Sequence, residues 1–308
     1  MWAVAFHANG KHVLGANDDG IRQWRVADGQ EVAKQTGRDV WAISVSKDDK
    51  WIVCGTSEGV RVWDGEMRKE VIHVEGKNMV DVVDVAPDST RFATGTDRGA
   101  NIWSIPTGQR LVRSLRLDSP INGVRFSPNG EHIAAACYKA IQIFDSQTGD
   151  KLVTIDADQP DWGAITPFAW SGDGQRIFSA SRDKKIRAFD ASTGTQLTES
   201  QSLHDGTPSI GLATNGNFVA ALAGRSVTFL DTSTLARVGP IIEGDERIRS
   251  VAISLDSTRL ATGRHDGKIA IRDLRRILPE LCGPVNVSIR TLLCSISHVD
   301  EIYVGIYS

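Results

Sequence analysis

The chain has 308 residues, with 35 Lys and Arg against 38 Asp and Glu, a formal net charge of −3. That balance gives no basic field of the kind that holds nucleic acid or an anionic membrane. At 41% hydrophobic and 24% charged residues, the composition can bury a core and is not that of a disordered chain. Cys54, Cys137, Cys282 and Cys294 lie far apart without a CxxC pair, which argues against a disulfide framework or a zinc site and suits a reducing compartment. The opening Met1–His7 has no basic segment and too short an apolar run for a secretory signal. Gly206–Gly224 is free of charge but carries Pro208, Asn215, Asn217 and four glycines; it reads as two strands around a turn, not a membrane helix.

Taken in chain order, the first predicted element is an apolar strand with Val4 and Phe6, ending in the turn His7–Lys11. The same turn returns six times, and its Asn or Asp falls at Asn9, Asp48, Asp88, Asn129, Asp173, Asn215 and Asp256. The spacings are 39, 40, 41, 44, 42 and 41 residues. Asn or Asp followed by Gly, Asp or Ser is the chemistry of a tight hairpin turn. Three residues before each turn residue stands Phe6, Val45, Val85, Phe126, Trp170, Leu212 or Ile253, and two earlier another apolar residue, the period of a buried strand. Fifteen or sixteen residues after the turn a second column reads Trp24, Trp63, Trp103, Phe144, Phe189, Leu230 and Arg272. Eight residues further lie Val32, Val71, Leu111, Leu152, Leu197 and Val238, each behind a polar residue, as in an edge strand that avoids foreign pairing. Each unit is therefore predicted as four strands. The fold class is all-β, a seven-bladed β-propeller of four-stranded antiparallel blades over residues 1–275.

These units resemble the WD40-repeat family. The resemblance rests on Val62-Trp63-Asp64, on Phe144-Asp145, Phe189-Asp190 and Leu230-Asp231, on the Phe126–Gly130 turn, and on Thr107-Gly108, Thr148-Gly149 and Thr193-Gly194. The wording is most similar to the expanded WD40 sets of fungi. The family's Gly-His pair is missing, and its hairpin Asp is matched by Asp183, Asp266 and one of Asp18 and Asp19. The Asp-His-Ser-Trp network that the family uses inside a blade is thus expected to be incomplete, leaving apolar packing to hold the blades.

The repeat breaks after residue 275. Position 280, where the last fourth strand should carry an apolar residue, holds Glu280 behind Pro279, and proline is confined to sheet edges. Residues 276–308 are expected as a tail that completes the seventh blade, through a segment such as Val285–Ile289 or Leu292–Ile296, or stays poorly ordered.

Seven scattered histidines give no metal-ligand spacing, and no nucleophile or phosphate motif occurs. His7 and His12, flanking the first turn, are expected as exposed turn residues. No catalytic, cofactor or metal residues are assigned. The basic clusters Arg182–Arg187 and Arg247–Arg249 read as solvated hairpins, since a nucleic-acid face needs a broader basic surface with exposed aromatics. The resemblance places the residue four before the Phe6 column on the rim of a binding face. Here those positions hold Trp2, Trp41, Asp81, Asn122 and Arg249, with Thr166 and Pro208 between. Trp and Arg are favoured at hot spots; the alternative for Trp2 and Trp41 is that they continue the buried strand. Tyr138 and Trp162 would extend the patch. Asp273 and Arg275 resemble the motif by which some WD40 proteins dock on a cullin-type ubiquitin ligase adaptor, with Arg272 in place of its Trp.

The expected function is a non-catalytic protein-interaction scaffold: a cytoplasmic propeller, nuclear residence being compatible, monomeric within a complex of other proteins. The alternatives are a ligase substrate receptor and, in a different class, a propeller enzyme with its site at the channel mouth.

Overall fold

In six of the seven predicted turns the Asn or Asp carboxamide or carboxylate accepts the backbone N–H two residues on, as from Lys11, Lys50 and Glu131, at 2.8–3.2 Å. The residue that follows is left-handed in each, with φ of 56–75° at Gly10, Asp49, Ser89, Gly130, Gly174 and Ser257. This is why only Gly, Asp and Ser appear there. In four of the turns a serine, Ser46, Ser127, Ser171 or Ser254, accepts the first N–H of the next strand at 2.9 Å. The seventh turn lies outside the described residues. The computed structural model describes the chain except residues 38, 77, 98, 113, 118, 157–167, 182, 204–208, 213–215, 283–300 and 306–308, and describes 209–212 and 301–305 by backbone only.

Seven antiparallel sheets follow in chain order, each a meander whose first strand is innermost. The first blade is Ala3–Phe6, His12–Asn17, Gly20–Arg25 and Glu31–Thr36. The fold is a seven-bladed β-propeller, and no helix precedes residue 274 among the described residues. The stretch read as two strands around a turn forms Ser209–Leu212 and Phe218–Ala223. In the third blade the fourth strand is reduced to two bridges, Ala100 with Leu115 and Trp103 with Arg110.

A glycine opens the third strand in the first three blades, Gly20, Gly59 and Gly99, with φ of 124–138°. At Gly59 a β-carbon would lie 2.1 Å from the Val74 carbonyl oxygen, so both the backbone angle and the approach of the fourth strand demand glycine.

Blades adhere through apolar clusters, each formed across a pair of neighbours. Between the third and fourth, Ile102, Ile133 and Phe144 are at most 3% exposed. Trp103 Nε1 donates to Thr94 Oγ1 at 3.0 Å, and in the seventh blade Arg272, 6% exposed, reaches Thr262 Oγ1 at 3.3 Å from the aromatic's place. In the fifth blade Arg187, 4% exposed, donates to Ser181 Oγ and pairs with Asp183, so the basic cluster is partly neutralised inside its own blade.

The ring closes between blades seven and one through Met1, Val4, Phe6 and Trp24 packed on Ile269 and Ile271, with Arg259 Nη1 donating to the Gly10 carbonyl at 3.2 Å. The tail departs from both segments expected to complete the seventh blade, which lie outside the described residues. Its strand is Glu301–Gly305, paired with Lys268–Asp273. The reason for the break lies at Asp273, whose carboxylate accepts the Arg275 N–H and caps the helical turn Leu274–Ile277. Pro279, unfit for the expected strand, opens a second helical turn, Pro279–Cys282, a position where its missing N–H costs nothing. Leu274 and Leu278 are buried against the sixth blade.

His7 corrects an expectation. It is 3% exposed, not an open turn residue, and its Nδ1 lies 3.3 Å from Asp49 of the second blade. The turn of blade one is thereby pressed on blade two, where Asp49 also accepts the Ala8 and Asn9 N–H groups. Burial pushes the imidazole below its ordinary value, with Asp49 opposing.

The turns between third and fourth strands predict an acid-sensitive element. Asp190 accepts from the Ser192 and Thr193 hydroxyls and N–H groups, which holds its carboxyl down at about 2. A depressed carboxyl supports the fold above its unfolded value near 3.8 and loses that support as pH falls through the folded value. Titration of Asp190 by NMR should show its midpoint at about 2 in the folded chain and a higher one in S192A/T193A, where the two backbone N–H groups still hold it partly down; an ordinary midpoint in both would refute the assignment.

Candidate site at the channel mouth

The innermost strands start at one face of the ring. Their registers, Ala3 with Ala16, Val40 with Thr56, Ile121 with Cys137 and Ile248 with Arg264, set the hairpins between second and third strands beside the same edge. Four of the residues selected four before the apolar column therefore gather around the channel. Trp2, Trp41, Asn122 and Arg249 line one cavity of about 330 Å³, walled by inner-strand residues of blades one to five and seven.

Trp2 and Trp41 are half-buried, with ring centroids 5.0 Å apart and planes at 41°. The Arg249 guanidinium lies 4.9 Å from the centroid of Trp2, a cation–π distance. Trp2 Nε1 donates to Asp18 of the neighbouring hairpin, which fixes the ring at the rim. Trp41 Nε1 has no acceptor. The two readings of these tryptophans resolve into a mixture: each continues the inner strand toward the rim, and neither is sealed in the core.

Asp81 does not share the cavity. It is exposed one residue before the inner strand Val82–Val85, and its carboxyl is raised by burial and then by the nearby Asp97. Tyr138 stands on the fourth blade's hairpin at 51% exposure. Trp162 lies outside the described residues, as do Thr166 and Pro208. Deeper in the channel, Arg125 Nη1 pairs with Asp84 at 3.1 Å, and Asp84 also accepts the Phe126 N–H at 2.8 Å. Burial pushes the Asp84 carboxyl up, and Arg125 pulls it back. Sequence reasoning missed this pair; Arg125 occurs one residue before the Phe126 column, and no spacing singles it out.

Asp273 and Arg275 fall at the opposite face. They hold each other in two contacts, Nε to Oδ1 at 2.9 Å and Nη2 to Oδ2 at 2.6 Å. Among the described residues no group of three His, Cys, Asp or Glu side chains could hold a metal ion, and no helix is long and apolar enough to cross a membrane.

The family profile described as "WD domain, G-beta repeat" matches residues 29–64, 109–145, 163–190 and 238–273. Three of the matches run from the outer edge of one blade to the third strand of the next, and the match at 163–190 begins past the outer strand Lys151–Asp156 and ends with the fifth blade's third strand. The chain carries WD40 repeats. The chain is 29% identical over 146 residues to "Cross-pathway control WD-repeat protein 2" of Flammulina velutipes, covering 45% of this chain and 46% of that protein. It is 28% identical over 156 residues to "Small ribosomal subunit protein RACK1" of Caenorhabditis elegans, covering 48% of each. The chain thus spans about half the length of the curated relatives it matches. A fungal WD-repeat protein is among them, in line with the resemblance noted from the repeats.

Proposed function

We propose that this WD40 propeller is a non-catalytic cytoplasmic scaffold that presents its channel-mouth face to partner proteins. The stack of Arg249, Trp2 and Trp41 carries the reading: two half-buried indoles and a guanidinium, with a tryptophan N–H lacking an acceptor, form a concave patch at the ring's centre. Such aromatic and Arg anchors dominate interface energies. The names of the relatives, one a ribosomal subunit protein and one a cross-pathway control protein, are in keeping with a part in larger assemblies.

The ligase-receptor reading is the weaker one, because Arg275 is engaged by Asp273 and Arg272 is turned into the blade. An enzyme would place an acid or base at the channel mouth. The charged groups among the described lining residues are the guanidinium groups of Arg125 and Arg249, which offer donors and no acceptor.

Affinity capture with mass spectrometry, comparing wild type with W41A and with W41A/D81A/N122A/R249A, tests the scaffold. W41A should weaken the captured partner by about 2 kcal/mol or more, about 30-fold, and the quadruple variant should abolish capture. Loss of the Trp2 contact should cost the fold only about 0.5–1.5 kcal/mol. A loss of several kcal/mol in W41A with capture intact would make Trp41 a core residue and refute the site.

A further inference from the structure

The cavity at the channel mouth has a charge character that its surroundings do not share. Of the described residues lining it, the charged ones are Arg125 and Arg249, and no carboxylate is among them. The two cations differ. Arg125 already has a counter-ion, the buried Asp84 at 3.1 Å. Among the described residues Arg249 has none: its guanidinium rests on the face of Trp2 and pairs with no described carboxylate. Acidic groups are close by on the rim, since Asp18, Asp19 and Asp266 line the adjoining hollow that shares Arg249 and Trp2. They are drawn elsewhere, Asp18 to Trp2 Nε1 and Asp266 to Arg264 at 3.1 Å.

Two polar groups on the wall can serve a bound acceptor. Trp41 Nε1 is a donor and cannot accept, and it lacks a partner. Ser250, next to Arg249 on the same wall, has a buried hydroxyl without one. A guanidinium fixed flat on an indole loses little freedom when it grips an acceptor, and its planar fork matches a carboxylate. The walls beneath, Val83, Val124, Phe168 and Val251, are apolar and suit the methylene stem of a side chain.

We infer that the channel mouth takes an acidic side chain, Glu or Asp, from an extended segment of a partner protein, with Arg249 gripping the carboxylate. This inference rests on the scaffold reading and names the partner's chemistry at that same face. The rim adds a constraint. Asp18, Asp19, Asp81 and Asp97 on blades one and three would repel a uniformly acidic partner, so residues flanking the inserted carboxylate toward those blades should be neutral or basic.

The test uses the full chain and three probes: a short Gly/Ala peptide with one central glutamate, the same peptide with a central lysine, and inositol hexakisphosphate. Affinity is read by fluorescence anisotropy of labelled peptide at two salt concentrations. The glutamate peptide should bind in a salt-sensitive manner, and R249M, which keeps an apolar stem on Trp2, should weaken it about tenfold or more. R249K should retain part of the affinity, and K139M on the fourth hairpin should change it less than about threefold. Circular dichroism melts of R249M and R249K should lie close to wild type. Tighter binding of the lysine peptide, or glutamate-peptide affinity unchanged in R249M, would overturn the inference. Arg249-dependent binding of the inositol phosphate without any of the glutamate peptide would also overturn it, assigning the mouth to a free phosphate ligand. Partner capture lost in W41A together with unchanged glutamate-peptide binding in R249M would sink this inference while leaving the scaffold reading standing.

Discussion

Replacing Trp24 by alanine should lower stability by about 3–5 kcal/mol, the range for emptying a large aromatic site, and should open the ring at one seam. Trp24 is 2% exposed and packs with Met1, Val4, Ile269 and Ile271 across the junction of blades one and seven. No strand is shared across that junction: each of the two blades is built from its own end of the chain. The seam therefore rests on this apolar cluster and a few polar contacts such as Arg259 to Gly10. Hydrogen exchange in W24A should show amides of blades one and seven losing protection while blades three to five keep theirs. A uniform loss across all blades, or a destabilisation below about 1 kcal/mol, would show that closure does not depend on this cluster.

Ending the chain after Cys282 should have an effect of similar size by a different route. It removes Glu301–Gly305, and with it the ladder to Lys268–Asp273. Backbone hydrogen bonds contribute about 0.5–1.5 kcal/mol each, so losing this strand should cost on the order of several kcal/mol. The bared third strand would then offer unpaired N–H and C=O groups to other copies, the usual hazard of an open edge. The shortened chain should melt at a lower temperature and self-associate, as read by calorimetry and light scattering. Unchanged melting with a monomeric chain would mean that Glu301–Gly305 adds nothing to the ring.

The seam also bears on the binding site. Trp2 and Arg249, the two members of the cation–π contact, belong to blade one and blade seven. A partner that grips both would brace the junction, and its binding should slow exchange in those two blades first. The proposed site and the closure of the ring are thus one region, because both depend on the inner strands of the first and last blades.

How much of this was legible in the sequence differs from element to element. The turns were, because a left-handed residue after an Asn or Asp that folds back on its own backbone can be satisfied by few residue types. Asn9-Gly10, Asp88-Ser89 and Asp256-Ser257 announce themselves wherever they occur. The inner strands were legible as well, since period-two burial writes itself into alternate residues. The fourth strands were harder: Val71, Leu111, Leu152 and Leu197 form a column as regular as the others, yet they are 41–51% exposed, because nothing packs outside the outermost strand of a blade. The sequence cannot tell an apolar residue that faces a neighbour from one that faces water.

The proposed binding face was half legible. Positions four before the apolar column named Trp2, Trp41, Asn122 and Arg249, and those four share one cavity. Asp81 followed the same spacing and stands aside, exposed on the rim beside Asp97. Its partner in repulsion is sixteen residues away in sequence, beyond the reach of any local pattern.

What the sequence by itself determined was the repeating unit, its number and its direction, because turn chemistry and strand periodicity are local and are restated seven times. What only the tertiary structure decided were the relations between units. These include Arg249 lying on Trp2 across 247 residues, Asp84 receiving Arg125 from the next blade, His7 pressed on Asp49, and the last strand coming from 301–305 instead of 285–296. The physical reason is closure. A ring brings its first and last blades into contact whatever their separation along the chain, and charge, stacking and pairing across that contact depend on distances that no repeat encodes.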